Sequence, residues 1–261
     1  MTINQHYIPK FILNHFVDET KKQYIKVFDK KKNCYLSGNC TSKKSMVTKL
    51  FYEHQDYCPN EVEDLLWQRE TIYSPIITKL IDGVNISKDE FKILLEFRHV
   101  TYYRSSEFMA FHSYQKNRGD DSWAQRQDWQ NLNSISSSKD DAKKSQLNAI
   151  KNVVAGTDII LELSSMTPIC FVLHSSCMRF IVGDNGSLSI GDEFSGVVII
   201  VVSPQYAIMF PKLQRGFEIM NKLGLSRSKH AILYEEVDDQ LVELINSRTA
   251  DAAYSYWVEH G

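Results

Sequence analysis

The spacing of apolar positions changes along the chain. Over residues 61–80, Leu65, Leu66, Ile72, Ile76, Ile77 and Leu80 recur at helical spacing, which predicts a helix. Pro75 should kink or split it, and Asp82-Gly83 should end it. A second helix is predicted from Ser87, where Ser87-Lys88-Asp89-Glu90 has the form of a capping box. It should run to about His112. Phe91, Leu94, Leu95, Tyr102 and Met109 form one stripe, widened by Phe97, Phe108 and Phe111. So broad an apolar arc predicts a largely buried helix.

Elsewhere the pattern is that of strands. Residues 24–28 alternate, 29–33 read as a turn, and 34–36 as a returning strand. Four short runs, 169–173, 179–182, 197–202 and 206–210, are β-branched or aromatic and bounded by turn residues. They predict a mainly antiparallel sheet. Residues 236–258 read as a closing helix carrying Val237, Leu241, Leu244 and Ile245. Between the halves, residues 117–151 are polar and Ser-rich and read as a flexible insertion running into a helix, with Trp123 and Trp129 as anchors. The predicted class is α+β: a helical N-terminal half packed on a C-terminal sheet, one domain over 1–261.

Composition narrows the function classes. The 30 basic and 32 acidic side chains give a net charge of -2, so nucleic acid would need a local basic patch, such as Lys30–Lys32 or Lys43–Lys44. The start has no signal-peptide pattern and the longest apolar run is too short for a bilayer. Both point to a cytoplasmic protein with no membrane partner. Five cysteines, Cys34, Cys40, Cys58, Cys170 and Cys177, include no C-x-x-C pair, which predicts buried free thiols and no structural zinc. Phosphate-loop, dinucleotide, H-E-x-x-H and G-x-S-x-G motifs are missing from the sequence, as is an Arg-x-x-x-x-His spacing on the long helix. No cofactor is implied, with a divalent metal left open.

Several landmarks together resemble one family. They are Asn4-Gln5-His6-Tyr7-Ile8-Pro9 followed by Phe16; Phe51-Tyr52; Glu70; Arg104; Phe180-Ile181-Val182-Gly183-Asp184-Asn185; Ser203-Pro204; and Asn246 with Ala250. In this order the chain resembles the bacterial domain-of-unknown-function family DUF4238 over nearly its whole length. Two positions depart from the family pattern. Gly186 stands where a proline is usual, and Ser105-Ser106 where Thr-Pro is frequent. The resemblance implies no reaction. It implies a bacterial protein, often from variable genome regions of the kind that carry phage-defence and toxin genes.

The candidate site residues follow from chemistry. His6 sits in a segment stiffened by Pro9 and is a natural acid/base; Tyr7 stands beside it. Arg98 and Arg104 lie on the apolar helix, where a permanent charge demands an anion: an internal carboxylate such as Glu70 or Asp184, or a phosphate. Asp184-Asn185 and Ser203 read first as turn residues, with contact to a ligand as the second reading. Two functions fit. One is a nuclease-like hydrolase, a toxin or phage-defence effector, with His6, Glu70, Arg104 and Asp184 catalytic and Tyr7, Arg98, Asn185 and Ser203 binding substrate. The other is a non-enzymatic interaction module in which the same groups form a buried network, with nucleic acid or a protein encoded nearby as partner. Convergence on an open cleft favours the first; mutual satisfaction beneath the surface favours the second.

Overall fold

A computed structural model describes residues 4–17, 24–36, 40–49, 51–105, 136–156, 169–191, 196–224, 231–253 and 255–260. The class is α+β. The helical half holds α1 (Lys10–His15), α2 (Glu61–Ile81), α3 (Lys88–Tyr103) and α4 (Ser136–Val154). The capping box forms as read: the Glu90 amide donates to Ser87 Oγ, and the Ser87 amide to the Glu90 carboxylate. Pro75 does not split α2, which is continuous through it.

Residues 117–135 of the polar stretch, including both tryptophans, and the expected extension of α3 over 106–112 lie outside the described residues. From Ser136 the stretch is helix α4, with Gln146, Leu147, Ile150 and Val153 buried. The Gln146 amide donates to the carbonyls of Tyr103 and Ser105, so α4 caps the end of α3.

Three sheets follow. In the largest, the order is β10 (Ala231–Glu236), β5 (Ile169–His174), β9 (Tyr206–Pro211), β8 (Val197–Val201) and β7 (Leu188–Ile190). All its pairings are antiparallel except β10–β5. A hydrophobic strand run buried on both faces, such as Ile169 to Leu173, reads clearly in sequence; β10, an edge strand that ends in two glutamates, does not. Helices α5 (Leu213–Lys222) and α6 (Asp239–Ala252) belong to this half.

The second sheet is ordered β3 (Cys34–Tyr35), β2 (Lys26–Asp29), β11 (Tyr256–Glu259), β6 (Val182–Gly183). It joins the first hairpin to the chain end, and it corrects the reading of residues 236–258 as one helix. Glu236 ends β10, α6 stops at Ala252, and the chain closes on strand β11. The third sheet pairs β1 (Asn4–His6) with β4 (Val47–Lys49). One apolar core runs from Ile8 and Leu13 through Phe97 to Phe180, Ile208 and Val258.

The basic run at Lys30–Lys32 has a structural use. Lys30 Nζ donates to the carbonyls of Ala250, Asp251 and Ala253. A cation there satisfies orphan carbonyls at the α6 C-terminus and complements the helix dipole. Lys32 pairs with Asp29. Two of the three lysines proposed as a substrate patch are thus held by the protein itself.

Candidate functional site

The polar cluster begins at the C-terminus of α3. Arg104 caps that helix and is only 2% exposed. A guanidinium so placed needs anionic or carbonyl partners on every side. NH1 donates to Glu70 Oε1 at 2.6 Å, Nε to the Tyr52 hydroxyl at 3.0 Å, and NH2 to the His6 carbonyl at 2.7 Å. The Tyr52 hydroxyl itself donates to the same His6 carbonyl at 2.9 Å. One cation therefore clamps α3, α2, β1 and the segment after β4. Gln5, fully buried, completes the clamp: its side-chain carbonyl accepts from the Tyr52 amide and its amine donates to Glu53.

The His6 ring lies outside the clamp. Its Nε2 is 2.9 Å from the Ser42 carbonyl, which fixes Nε2 as the protonated nitrogen. Burial lowers its pKa from the ordinary value, and the Arg104 charge adds to this against the Ser42 carbonyl. The ring is a neutral donor that pins β1 to the loop before β4. Tyr7 is buried, its hydroxyl directed at the Met46 sulfur and its ring against Phe51. Burial, then the Asp184 carboxylate, raise its pKa.

Asp184 is 1% exposed, and its Oδ2 accepts from the amides of Ser255 and Tyr256 at 2.7 and 3.1 Å. It anchors the start of β11. Gly186 follows at φ +72°, and a Cβ there would lie 2.9 Å from Thr101 and 3.3 Å from Ile8. Only glycine suits that backbone and that contact, and proline cannot reach a positive φ. The turn therefore packs on α3 and the N-terminal segment. Asn185 is buried in it beside Gly183. The Asn246 side chain accepts from the Ile181 amide and donates to the Arg179 carbonyl, clasping α6 to the approach of β6.

Two expected substrate contacts lie elsewhere. Ser203 Oγ accepts from the amides of Gln205 and Tyr206, closing the β8–β9 hairpin. Arg98 is half-buried with NH1 3.3 Å from His99 Nε2. The structure thus brings together His6, Glu70 and Arg104, sets Tyr7 and Asp184 near one another, and places Arg98 and Ser203 outside both groups.

A second charged network joins α2 and α3. Glu96, 5% exposed on α3, accepts two bonds from Arg69 and one from the Tyr73 hydroxyl, both on α2. No local pattern announces it, because the partners are 23 and 27 residues away.

The clasps made by Arg104, Asp184, Ser203 and Asn246, unlike the Glu96 network, coincide with the landmark positions. The DUF4238 sequence profile matches residues 4–260. The chain belongs to the DUF4238 family. The family is described as proteins of unknown function, so membership transfers no activity. No curated protein and no solved structure matches the chain. Among the described residues no group of three or more His, Cys, Asp or Glu could hold a metal ion, and no helix is long and apolar enough to cross a membrane.

One carboxyl beside the clamp differs from the rest. Glu63, one stripe along α2 from Glu70, makes no hydrogen bond or ion pair among the described residues. Its pKa is raised to about 7, first by burial and then, against the pull of Arg104, by Glu70, Asp64 and Glu53. A carboxyl raised above its unfolded value costs stability when it ionises. That cost is nil below the unfolded pKa near 4.5 and grows as pH rises to about 7. The melting temperature of Glu63→Gln should therefore exceed that of wild type at pH 8 and match it at pH 4.5. Equal melting temperatures at both pH values would show that Glu63 is not strained in the folded protein.

Proposed function

We propose that this DUF4238 protein is an interaction module, and that its landmark polar residues specify the fold and do not act on a substrate. The observation that carries this is Arg104. An arginine that stabilises a phosphoryl group must present donors to it, and the Arg104 guanidinium is buried and donates to Glu70, Tyr52 and the His6 carbonyl. Asp184 is likewise occupied by two backbone amides. Buried networks satisfied in this way rigidify a core and select one chain arrangement. The module works in the cytoplasm, with nucleic acid or a protein encoded nearby as its partner.

Glu63 favours a second reading, that of a nuclease-like hydrolase, a toxin or phage-defence effector. A half-buried carboxyl with no hydrogen-bond or ion-pair partner among the described residues and a pKa raised to about 7 is a candidate general acid. Expression of wild type, His6→Ala and Glu63→Gln in bacteria distinguishes the two. Growth is compared, and the purified proteins are incubated with total RNA and plasmid DNA. The module reading expects no cleavage by any of the three. Cleavage or toxicity by wild type that a folded His6→Ala or Glu63→Gln lacks would establish the hydrolase instead.

A further inference from the structure

The outer face of the second sheet carries a row of aromatic rings. Its inner face is apolar core, with Val27, Val182 and Val258 buried. On the outer face the register aligns Tyr35, Phe28, Trp257 and Gly183 across β3, β2, β11 and β6. Phe28 and Trp257 are stacked, with centroids 4.1 Å apart and planes 14° apart, and Tyr35 meets Phe28 edge-on. The row breaks at Gly183, where the strand supplies no ring. Next to that break, between Trp257 and α6, lies an open groove of about 560 Å³. The size is that of a small-molecule site.

The polar groups of the groove are arranged with direction. Glu259 Oε1 accepts from Trp257 Nε1 at 3.1 Å and from the Tyr35 hydroxyl at 2.7 Å. Both donors fix the carboxylate at the edge of the indole, and its second oxygen has no partner among the described residues. The groove is also lined by residues 178–181, held by Asn246, and by Glu243 and His260, and Arg179 among them is exposed. Arg179 has no side-chain partner among the described residues. The Trp257 indole, the fixed Glu259 carboxylate and the Arg179 cation therefore line one space.

We infer that this groove binds a nucleotide whose base carries an exocyclic amine. The base extends the Tyr35–Phe28–Trp257 stack, the amine donates to Glu259, and the phosphate meets Arg179. Stacking on an aromatic side chain is tolerant of base identity. The carboxylate supplies selection, because an acceptor favours the amines of adenine, cytosine and guanine and opposes the carbonyl-flanked edge of uracil. The site lies apart from the Arg104 clamp, so it stands or falls separately from the interaction-module reading.

The test is calorimetric titration of the full chain with AMP, CMP, GMP and UMP, with ribose 5-phosphate and N-acetyltryptophanamide as further probes. AMP, CMP and GMP are expected to bind at least about tenfold more tightly than UMP or ribose 5-phosphate. Loss of one stacking contact changes affinity by roughly 5- to 150-fold, so folded Trp257→Leu should lose binding while Trp257→Phe retains most of it. Arg179→Ala, at an exposed position, should weaken every nucleotide alike and leave the order of bases unchanged. Absence of binding by folded wild type, equal affinity for UMP, equal binding of N-acetyltryptophanamide, or wild-type affinity in Trp257→Leu would each overturn the assignment.

Discussion

Arg104→Ala is expected to lower the stability of the protein by about 3–5 kcal/mol, the range for breaking a buried ion pair from one side. The substitution strands three groups together. Glu70 loses its cation, the Tyr52 hydroxyl loses a donor, and the His6 carbonyl loses one of two bonds. It also empties the space of one of the largest fully buried side chains among the described residues. Glu70 is 19% exposed and regains some hydration, which favours the lower part of the range. For a chain of this size the loss corresponds to a fall in melting temperature of about 10 °C. Arg104→Lys should restore little of it, since the donors of an ammonium sit on one nitrogen, whereas Glu70, Tyr52 and the His6 carbonyl are met by three separate nitrogens of the guanidinium fork. Chemical denaturation measures this directly. A change below about 1 kcal/mol, the scale of an exposed pair, would mean that Arg104 does not hold the fold.

The second large effect is expected at Glu96. Its carboxylate receives three donors, two from Arg69 and one from Tyr73. Glu96→Ala leaves the Tyr73 hydroxyl buried without that acceptor and the Arg69 guanidinium, 21% exposed, without an anion. Leaving a buried hydroxyl unpaired costs about 1–3 kcal/mol, and the stranded cation and the cavity add to it. We expect about 3 kcal/mol by denaturant unfolding. Glu96→Gln keeps one acceptor oxygen for Tyr73 and should lose distinctly less. If Glu96→Gln is as damaging as Glu96→Ala, charge and not hydrogen-bond acceptance dominates the network. If neither is damaging, the network contributes nothing to α2–α3 packing.

The sequence carried those parts of the fold whose signals are local. The Ser87–Glu90 capping box, the apolar stripes of α2 and α3 and the hydrophobic runs of β5, β8 and β9 are each legible within one or two turns or one strand. β11 was not, because Tyr256-Trp257-Val258 continues the apolar content of α6. The strand forms by pairing with β2 and β6, and Asp184, 71 residues before Ser255, anchors its start by accepting from the Ser255 and Tyr256 amides. β1 and β4, each three residues long, exist through pairing with each other. β10 carries no clear local signal, because its strand is half-exposed and ends in acid.

The site shows the same division. That a buried Arg104 must find an anion followed from helix periodicity, and Glu70 was among the expected partners. The roles of Tyr52, Gln5 and the His6 carbonyl did not follow, since backbone acceptors leave no trace in residue type. Asp184, Asn185 and Ser203 were ambiguous because Asp, Asn and Ser serve turns and ligands equally. In the structure Asp184 and Ser203 make turn and anchor bonds. Lys30 read as surface charge, and only its 220-residue reach to the end of α6 reveals its use.

The central claim is that Arg104 is matched to Glu70 inside the fold and not to an external anion. A double-mutant cycle on unfolding free energy tests it most directly, with Arg104→Met, Glu70→Leu and the double variant, each of similar volume to the native side chain. The account predicts that each single change is strongly destabilising and that the double variant is more stable than the sum of the two losses implies, by about 2 kcal/mol, within the range found for contacting residues. Strictly additive losses, or an Arg104→Met protein as stable as wild type, would contradict it.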